Sequence, residues 1–184
     1  MILFQIDEHI SLKLIELKHA EKIFELINKS RTHLRQWESW VDSTVSVKDT
    51  RNYIQYCLYS YTSCKSIDFV IFFNDEIVGL TSLHQINNNL KKAEVGYWIG
   101  TDYQGRGIVT KAVKGLITYA FNELELKKIE IRTASDNLNS QRVPERLNFK
   151  KEGKLPRAQW LYDRYLDHNI YGISAEEWSK FTIN

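Results

Sequence analysis

The sequence predicts an α+β domain on a mixed, mostly antiparallel central sheet flanked by helices. Three observations predict it: three β-rich runs separated only by short polar turns, a long amphipathic run after the third, and another strand directly after that helix. Short turns between consecutive strands argue for an antiparallel meander. A strand, a helix and then a strand argue for one parallel neighbour in the same sheet.

Residues 10 to 17, Ile-Ser-Leu-Lys-Leu-Ile-Glu-Leu, alternate apolar and polar as a half-buried strand does. Ala20, Ile23, Phe24, Ile27 and Leu34 then share a helical face, and Ile54, Cys57, Leu58 and Tyr61 do the same within 47–64, giving two helices. The meander occupies 66–74, 76–86 and 92–100, broken at Asn74-Asp75-Glu76 and Asn87-Asn88-Asn89. Ile108, Val109, Ala112, Val113, Leu116, Ile117, Ala120, Phe121 and Leu124 form the widest apolar helix face in the chain. A strand at 127–135 follows, expected parallel to 93–100. The segment 139–149 reads as a short helix ended by Asn148, a residue that tolerates the left-handed conformation. The tail 158–174 alternates as a final strand or hairpin. Pro144 and Pro156 fall near element edges, no repeat or linker interrupts the chain, and 184 residues suit one domain over 1–184.

Composition narrows the function. With 43% hydrophobic and 26% charged residues the chain is neither disordered nor fibrous in type. A formal charge of +2, from 25 basic against 23 acidic residues, is too balanced for a nucleic-acid scaffold, and no direct nucleic-acid partner is expected. Asp7 and Glu8 stand where a signal sequence would continue, and no stretch of 18 uncharged apolar residues follows, so a cytoplasmic protein without a membrane partner is expected. Cys57 and Cys64, seven apart in one predicted helix, share a face roughly 10 Å apart, beyond disulfide reach, and read as reduced core residues. The five histidines form no ligand-spaced cluster, so no metal is expected.

The most informative stretch is Tyr103-Gln104-Gly105-Arg106-Gly107-Ile108, between a strand and the long helix. A helix start presents unpartnered N–H groups and a partial positive charge, and glycines let an anion approach them closely. Arg106 either adds a cation or points to solvent, and a plain tight turn would use the same residues. The pattern is neither a chain-opening GxGxxG nor a P-loop.

Gln104-Gly105-Arg106-Gly107-Ile108-Val109 resembles the Q/R-x-x-G-x-G/A acyl-CoA signature of the GNAT N-acetyltransferase superfamily, and Ala93-Glu94-Val95-Gly96-Tyr97-Trp98-Ile99 resembles the strand that precedes it there. Asn137 to Ser140 resembles the downstream Asn-x-x-Ser helix, and the tail resembles the branch that acetylates ribosomal-protein N-termini. Together the motifs span roughly residues 10 to 174. Val109 departs from the usual Gly or Ala, and Asn148 from the usual Gly.

The resemblance implies acetyl-CoA as co-substrate, its pyrophosphate on the main chain of Gly105 to Val109 with Gln104, Arg106 and Thr110 beside it. It implies a 93–100 strand splayed from 128–134, pantetheine in the gap beside Trp98, Ile99, Asn137 and Asn139, and a carbonyl donor on the main chain near Ile99. Ser140 would protonate the leaving thiolate; its alternative is to cap its helix. Glu94, which alternation with Val95 and Tyr97 sets on one face of the strand that receives the acetyl group, is the candidate base; its alternative is a surface carboxylate or an internal ion pair. The position of a loop glutamate in the ribosomal branch holds Gln159, which accepts no proton at neutral pH, so a water relayed to Glu94, or no dedicated base, is expected. Trp37, Trp40, Trp160 and Tyr162 are the expected acceptor-cleft residues. The acceptor is a protein N-terminus or a small amine such as a polyamine, amino sugar or antibiotic; a non-catalytic CoA-binding module is the other alternative. A homodimer is common among such relatives.

Overall fold

The computed structural model of the protein describes residues 3–182. Eight strands form one sheet: β1 (Leu3–Gln5), β2 (Ile10–Leu14), β3 (Ile67–Phe73), β4 (Glu76–Asn87), β5 (Lys92–Ile99), β6 (Lys128–Ala134), β7 (Lys150–Leu161) and β8 (Arg164–Ser174). Their order is β1-β2-β3-β4-β5-β6-β8-β7, and only β5 and β6 run parallel. The expected fold class holds, including the parallel pair.

The meander follows from its turns. Asn74 and Asp75 both take positive φ, 50° and 64°, the two-residue hairpin geometry that matches strand twist. α3 (Ile108–Asn122) carries the chain from β5 to β6, with Ile108, Ala112, Val113, Leu116, Ile117 and Ala120 all buried against the sheet. With α4 (Leu138–Arg146) and α5 (Ala175–Thr182) it covers one face. α1 (Ala20–Leu34) and α2 (Val47–Thr62) cover the other, packing Ile23, Ile27 and Ile54 onto Val70 and Leu80. A capping box starts α2: the Asp49 N–H donates to Ser46 Oγ, and the Ser46 N–H donates to Asp49 Oδ2 at 2.8 Å.

Several boundaries differ from the sequence reading. The 10–17 strand ends at Leu14, and Leu17–His19 is already a 3₁₀ turn. Cys64 lies beyond the end of α2 with φ 54° and is exposed while Cys57 is buried, so the two do not share a helix face. Burial pushes the Cys57 thiol up to about 12. Pro144 is inside α4, not at its edge. The terminal hairpin begins at Lys150 rather than 158, hidden by register shifts and a left-handed Arg157 that break its alternation. Asn148 does take the expected left-handed conformation, φ 59°.

Candidate active site

The site lies where β5 and β6 part. They pair only from Lys92↔Lys128 to Glu94↔Glu130, after which β5 continues against β4 and β6 against β8. A cleft of about 420 Å³ opens beyond the last pair, walled by Tyr97, Trp98 and Ile99 of β5, the 103–110 turn, the start of α4 and the end of α1.

At one end the cleft is made of main chain. Gly105 and Gly107 sit at φ 73° and 74°, where a β-carbon is strained, and a Cβ built on either meets nothing within 4 Å. Their hydrogens therefore face open space. The N–H groups from Gly105 to Thr110 have no hydrogen-bond acceptor among the described residues, as expected for a helix's first turn. This end suits a diphosphate. The Arg106 side chain turns back on its own loop, donating to the Asp102 carbonyl at 2.9 Å, and does not line the cleft.

The second wall is α4. Asn137 Oδ1 accepts the Ser140 N–H at 3.1 Å, so Asn137 and not Ser140 caps this helix. Pro144 has no N–H to give the carbonyl four residues back, which is that of Ser140. The Tyr97 hydroxyl supplies the missing donor at 2.8 Å and accepts from Ser140 Oγ at 3.3 Å. Burial holds the Tyr97 phenol well above its ordinary value, so it stays neutral. Buried Gln141 completes the mounting: its amide donates to the Ala134 and Ser135 carbonyls, and its Oε1 accepts from Asn169 at 2.8 Å and from Tyr171. Ser140 is thereby fixed with its half-buried side chain at the cleft.

The far end is built by long-range contacts. Arg31 ties α1 to the Val41 and Thr44 carbonyls. From the β7–β8 hairpin, Arg164 donates to the Gln36 carbonyl, Gln159 to that of Trp37 and the Tyr162 hydroxyl to that of Glu38 at 3.0 Å. Glu38 lines the cleft beside Trp37, and its Oε2 accepts from the Trp40 indole at 2.9 Å. Burial pushes its carboxyl up to about 7, against the lowering effect of that indole N–H.

The structure thus brings Trp37, Trp98, Ile99, Gln104, Gly105, Gly107, Ile108, Val109, Thr110, Asn137, Asn139 and Ser140 to one cleft. It does not bring Glu94 there. Glu94 is 7% exposed on the opposite sheet face from Val95 and Tyr97, 3.7 Å from His84 and 2.8 Å from Arg132. Both partners draw its carboxyl below the usual range against the opposing effect of burial, which makes it a poor base. Trp40 packs on Trp98 behind the lining, and Tyr162 acts through its hydroxyl with Arg35 stacked 4.0 Å over its ring. Trp160 is 56% exposed against Tyr165 on the hairpin, away from the cleft. Glu38 was the residue that sequence reasoning missed; its only local signal is a carboxylate between two tryptophans at a helix end. No metal-ligating cluster occurs among the described residues.

The family model for the acetyltransferase (GNAT) domain matches residues 9–150. The chain belongs to the GNAT family. It is an acetyl-CoA-dependent N-acetyltransferase. YdaF of Bacillus subtilis (strain 168), provisionally named a ribosomal N-acetyltransferase, is 34% identical over 97% of this chain and 98% of its own. The ribosomal-protein-serine acetyltransferase of Escherichia coli (strain K12) is 33% identical over 91% of this chain and 93% of its own. Among solved structures, RimL, the ribosomal L7/L12 alpha-N-protein acetyltransferase in complex with coenzyme A, superposes with a TM-score of 0.91 at 25% identity, covering 94% of this chain and 98% of that one. The microcin C7 self-immunity acetyltransferase MccE, in complex with acetyl-CoA and AMP, gives 0.88 at 29% identity over 92% and 94%.

Proposed function

We propose that this acetyltransferase modifies a protein N-terminal α-amine of the ribosomal-protein type, in the cytoplasm. The observation that carries the reading is the cleft's polarity: among the described residues, unpaired main-chain N–H groups at the turn end, and a single carboxylate, Glu38, among aromatic walls at the other. A polyamine would meet one carboxylate and two arginines, Arg142 and Arg146, on the cleft lining, a poor match for several positive charges. The full-length resemblance to enzymes named for ribosomal-protein N-termini supports the same acceptor.

Acetyl-CoA, when bound, supplies the thioester that is attacked. The run of N–H groups from Gly105 to Thr110, with nothing near the glycine β-positions, fits its diphosphate. Gln104 and Asn139 flank it, and Trp98 and Ile99 wall the opening between the strands. A main-chain donor near Ile99 polarises the acetyl carbonyl. The Ser140 hydroxyl, held by Tyr97, gives its proton to the departing sulfur and regains one from solvent. A thiol-release assay with N-terminal peptides, polyamines and amino sugars tests the reading: peptides starting with a free α-amine should turn over fastest. Preference for a small amine would replace the acceptor, and failure to bind acetyl-CoA would remove the site.

A further inference from the structure

Gln159 accepts no proton at its place on the hairpin, and Glu94 is held by His84 and Arg132 outside the cleft lining. Yet an acceptor arriving at pH 7 is largely an ammonium, and an ammonium has no lone pair with which to attack. A group that takes this proton inside the cleft lets the abundant ammonium react as well as the neutral fraction. We propose that Glu38 is the acceptor-side base: its carboxylate receives the incoming ammonium and removes one proton from it. The inference rests on the reading that this cleft takes a primary amine.

Four features of the geometry support it. Among the described residues Glu38 is the only carboxylate on the cleft lining, at the end away from the glycine turn. Its Oε2 is held by the Trp40 indole, while Oε1 makes no hydrogen bond among the described residues and is left for a substrate N–H. Its main chain is fixed by the Tyr162 hydroxyl, which sets the direction of the side chain without using the carboxylate. Glu38 is half-buried beside Leu34 and Trp37, where an unpaired carboxylate gains basicity.

The surrounding charges leave this assignment undisturbed. From α1, His33 lines the cleft and is held toward its neutral form by burial. Arg35 pairs with Asp42 at 2.8 Å, and Arg31 is taken by main-chain carbonyls. From the hairpin, Arg164 reaches the Gln36 carbonyl, and His168 faces Gln159. From α4, Arg142 and Arg146 line the facing wall. None of these forms an ion pair with Glu38 among the described residues. A carboxyl at about 7 is matched to an α-amine whose reference value is about 7.7 to 8.0, so the proton crosses with little cost in either direction.

The step balances. One ammonium proton moves to Glu38, and the freed nitrogen lone pair forms the C–N bond to the acetyl carbon. The C–S bond then breaks, the sulfur takes a proton through Ser140, the nitrogen sheds its second proton, and Glu38 returns its own to solvent. The products are the acetylated amine, CoA thiol and one net proton.

The test is kcat/KM between pH 5.5 and 9.5 for wild type, Glu38→Gln and Glu38→Asp, with an N-terminal peptide at saturating acetyl-CoA. Acetyl-CoA affinity is measured by calorimetry and folding by thermal melts. Wild type should rise through about 7. Glu38→Gln should fall roughly 10²-fold at pH 6.5, with the deficit narrowing toward pH 9 as the amine loses its own proton. Glu38→Asp should recover part of the low-pH rate, and acetyl-CoA affinity should hold in both. A carbon-13 titration of the wild-type carboxyls supplies a readout independent of variant folding: one glutamate should titrate near neutrality. An unchanged pH profile in Glu38→Gln, the same loss at every pH, or no glutamate titrating above the usual range overturns the role of Glu38. Wild type that binds acetyl-CoA but acetylates no amine overturns the acceptor reading instead.

Discussion

The two ends of the cleft are made in opposite ways. At the turn end, six consecutive residues, Gly105 to Thr110, provide unpaired main-chain donors, and their side chains matter mainly by being small or turned away. At the acceptor end, the carbonyls of Gln36, Trp37 and Glu38 are held by side chains 128, 122 and 124 residues further along the chain. The first kind of site is encoded locally and tolerates drift around it. The second exists only when the sheet has brought the hairpin back to the first helix. Substitutions at the turn end should therefore act on cofactor affinity alone, and those at the far end on the acceptor alone.

The largest effect is expected at Gly107. A valine there would project into the open space that the glycine leaves and would strain a left-handed residue by about 1–2 kcal/mol. Acetyl-CoA affinity should fall by at least about 10²-fold, roughly 3 kcal/mol, in calorimetry while thermal melting still reports a folded chain. Undiminished binding would move the diphosphate elsewhere.

Ser140→Ala comes next, with turnover lowered by roughly 10 to 10³-fold and acetyl-CoA affinity nearly unchanged. Because Asn137 already caps α4, the melting temperature should scarcely move, whereas Asn137→Ala should cost about 1 kcal/mol. A Ser140→Ala enzyme of normal turnover but reduced stability would reverse the two assignments.

A smaller effect tests the far end. Tyr162→Phe removes only the hydroxyl that fixes Glu38, and a hydrogen bond of this kind contributes about 0.5–1.5 kcal/mol. The acceptor KM should rise by about 3 to 10-fold with acetyl-CoA affinity unaffected. Equal losses for both substrates would mean that the hairpin supports the whole cleft rather than one end.

The same contrast explains what the sequence disclosed. The meander, α3 and the parallel β6 were legible because their signals are local: a two-residue turn at Asn74-Asp75, and an apolar repeat from Ile108 to Phe121. The glycine turn was legible for the same reason. Glu38 was not, since its basicity comes from burial beneath a hairpin that periodicity could not delimit: Arg157 and the bulges around it interrupt the alternation of β7. Nor was the Pro144–Ser140–Tyr97 arrangement. A proline four residues after a serine shows that a carbonyl is left without its helical donor; only packing shows that a tyrosine on β5 supplies one.

Glu94 gives the finest test, because a reading confined to strand alternation makes it the base and the structure makes it a structural anion. Its carboxyl is drawn below the usual range by His84 and Arg132, so it is ionised throughout the pH window in which an amine changes state. Glu94→Gln should therefore leave the position of the kcat/KM limb between pH 6 and 9 unmoved. Stability is where the change belongs. A carboxylate with a depressed folded value stabilises the protein above its unfolded value, near 4.3, and that contribution is lost as pH falls through the folded value. The wild-type advantage over Glu94→Gln, about 1–3 kcal/mol for a buried partner left behind, should be full at pH 7 and shrink below about pH 4 in denaturant titrations. Arg132 is itself about a third exposed, which places the expected value at the lower end of that range. A kcat/KM limb displaced by Glu94→Gln, with Glu38 intact, would return the proton transfer to the His84–Glu94–Arg132 cluster.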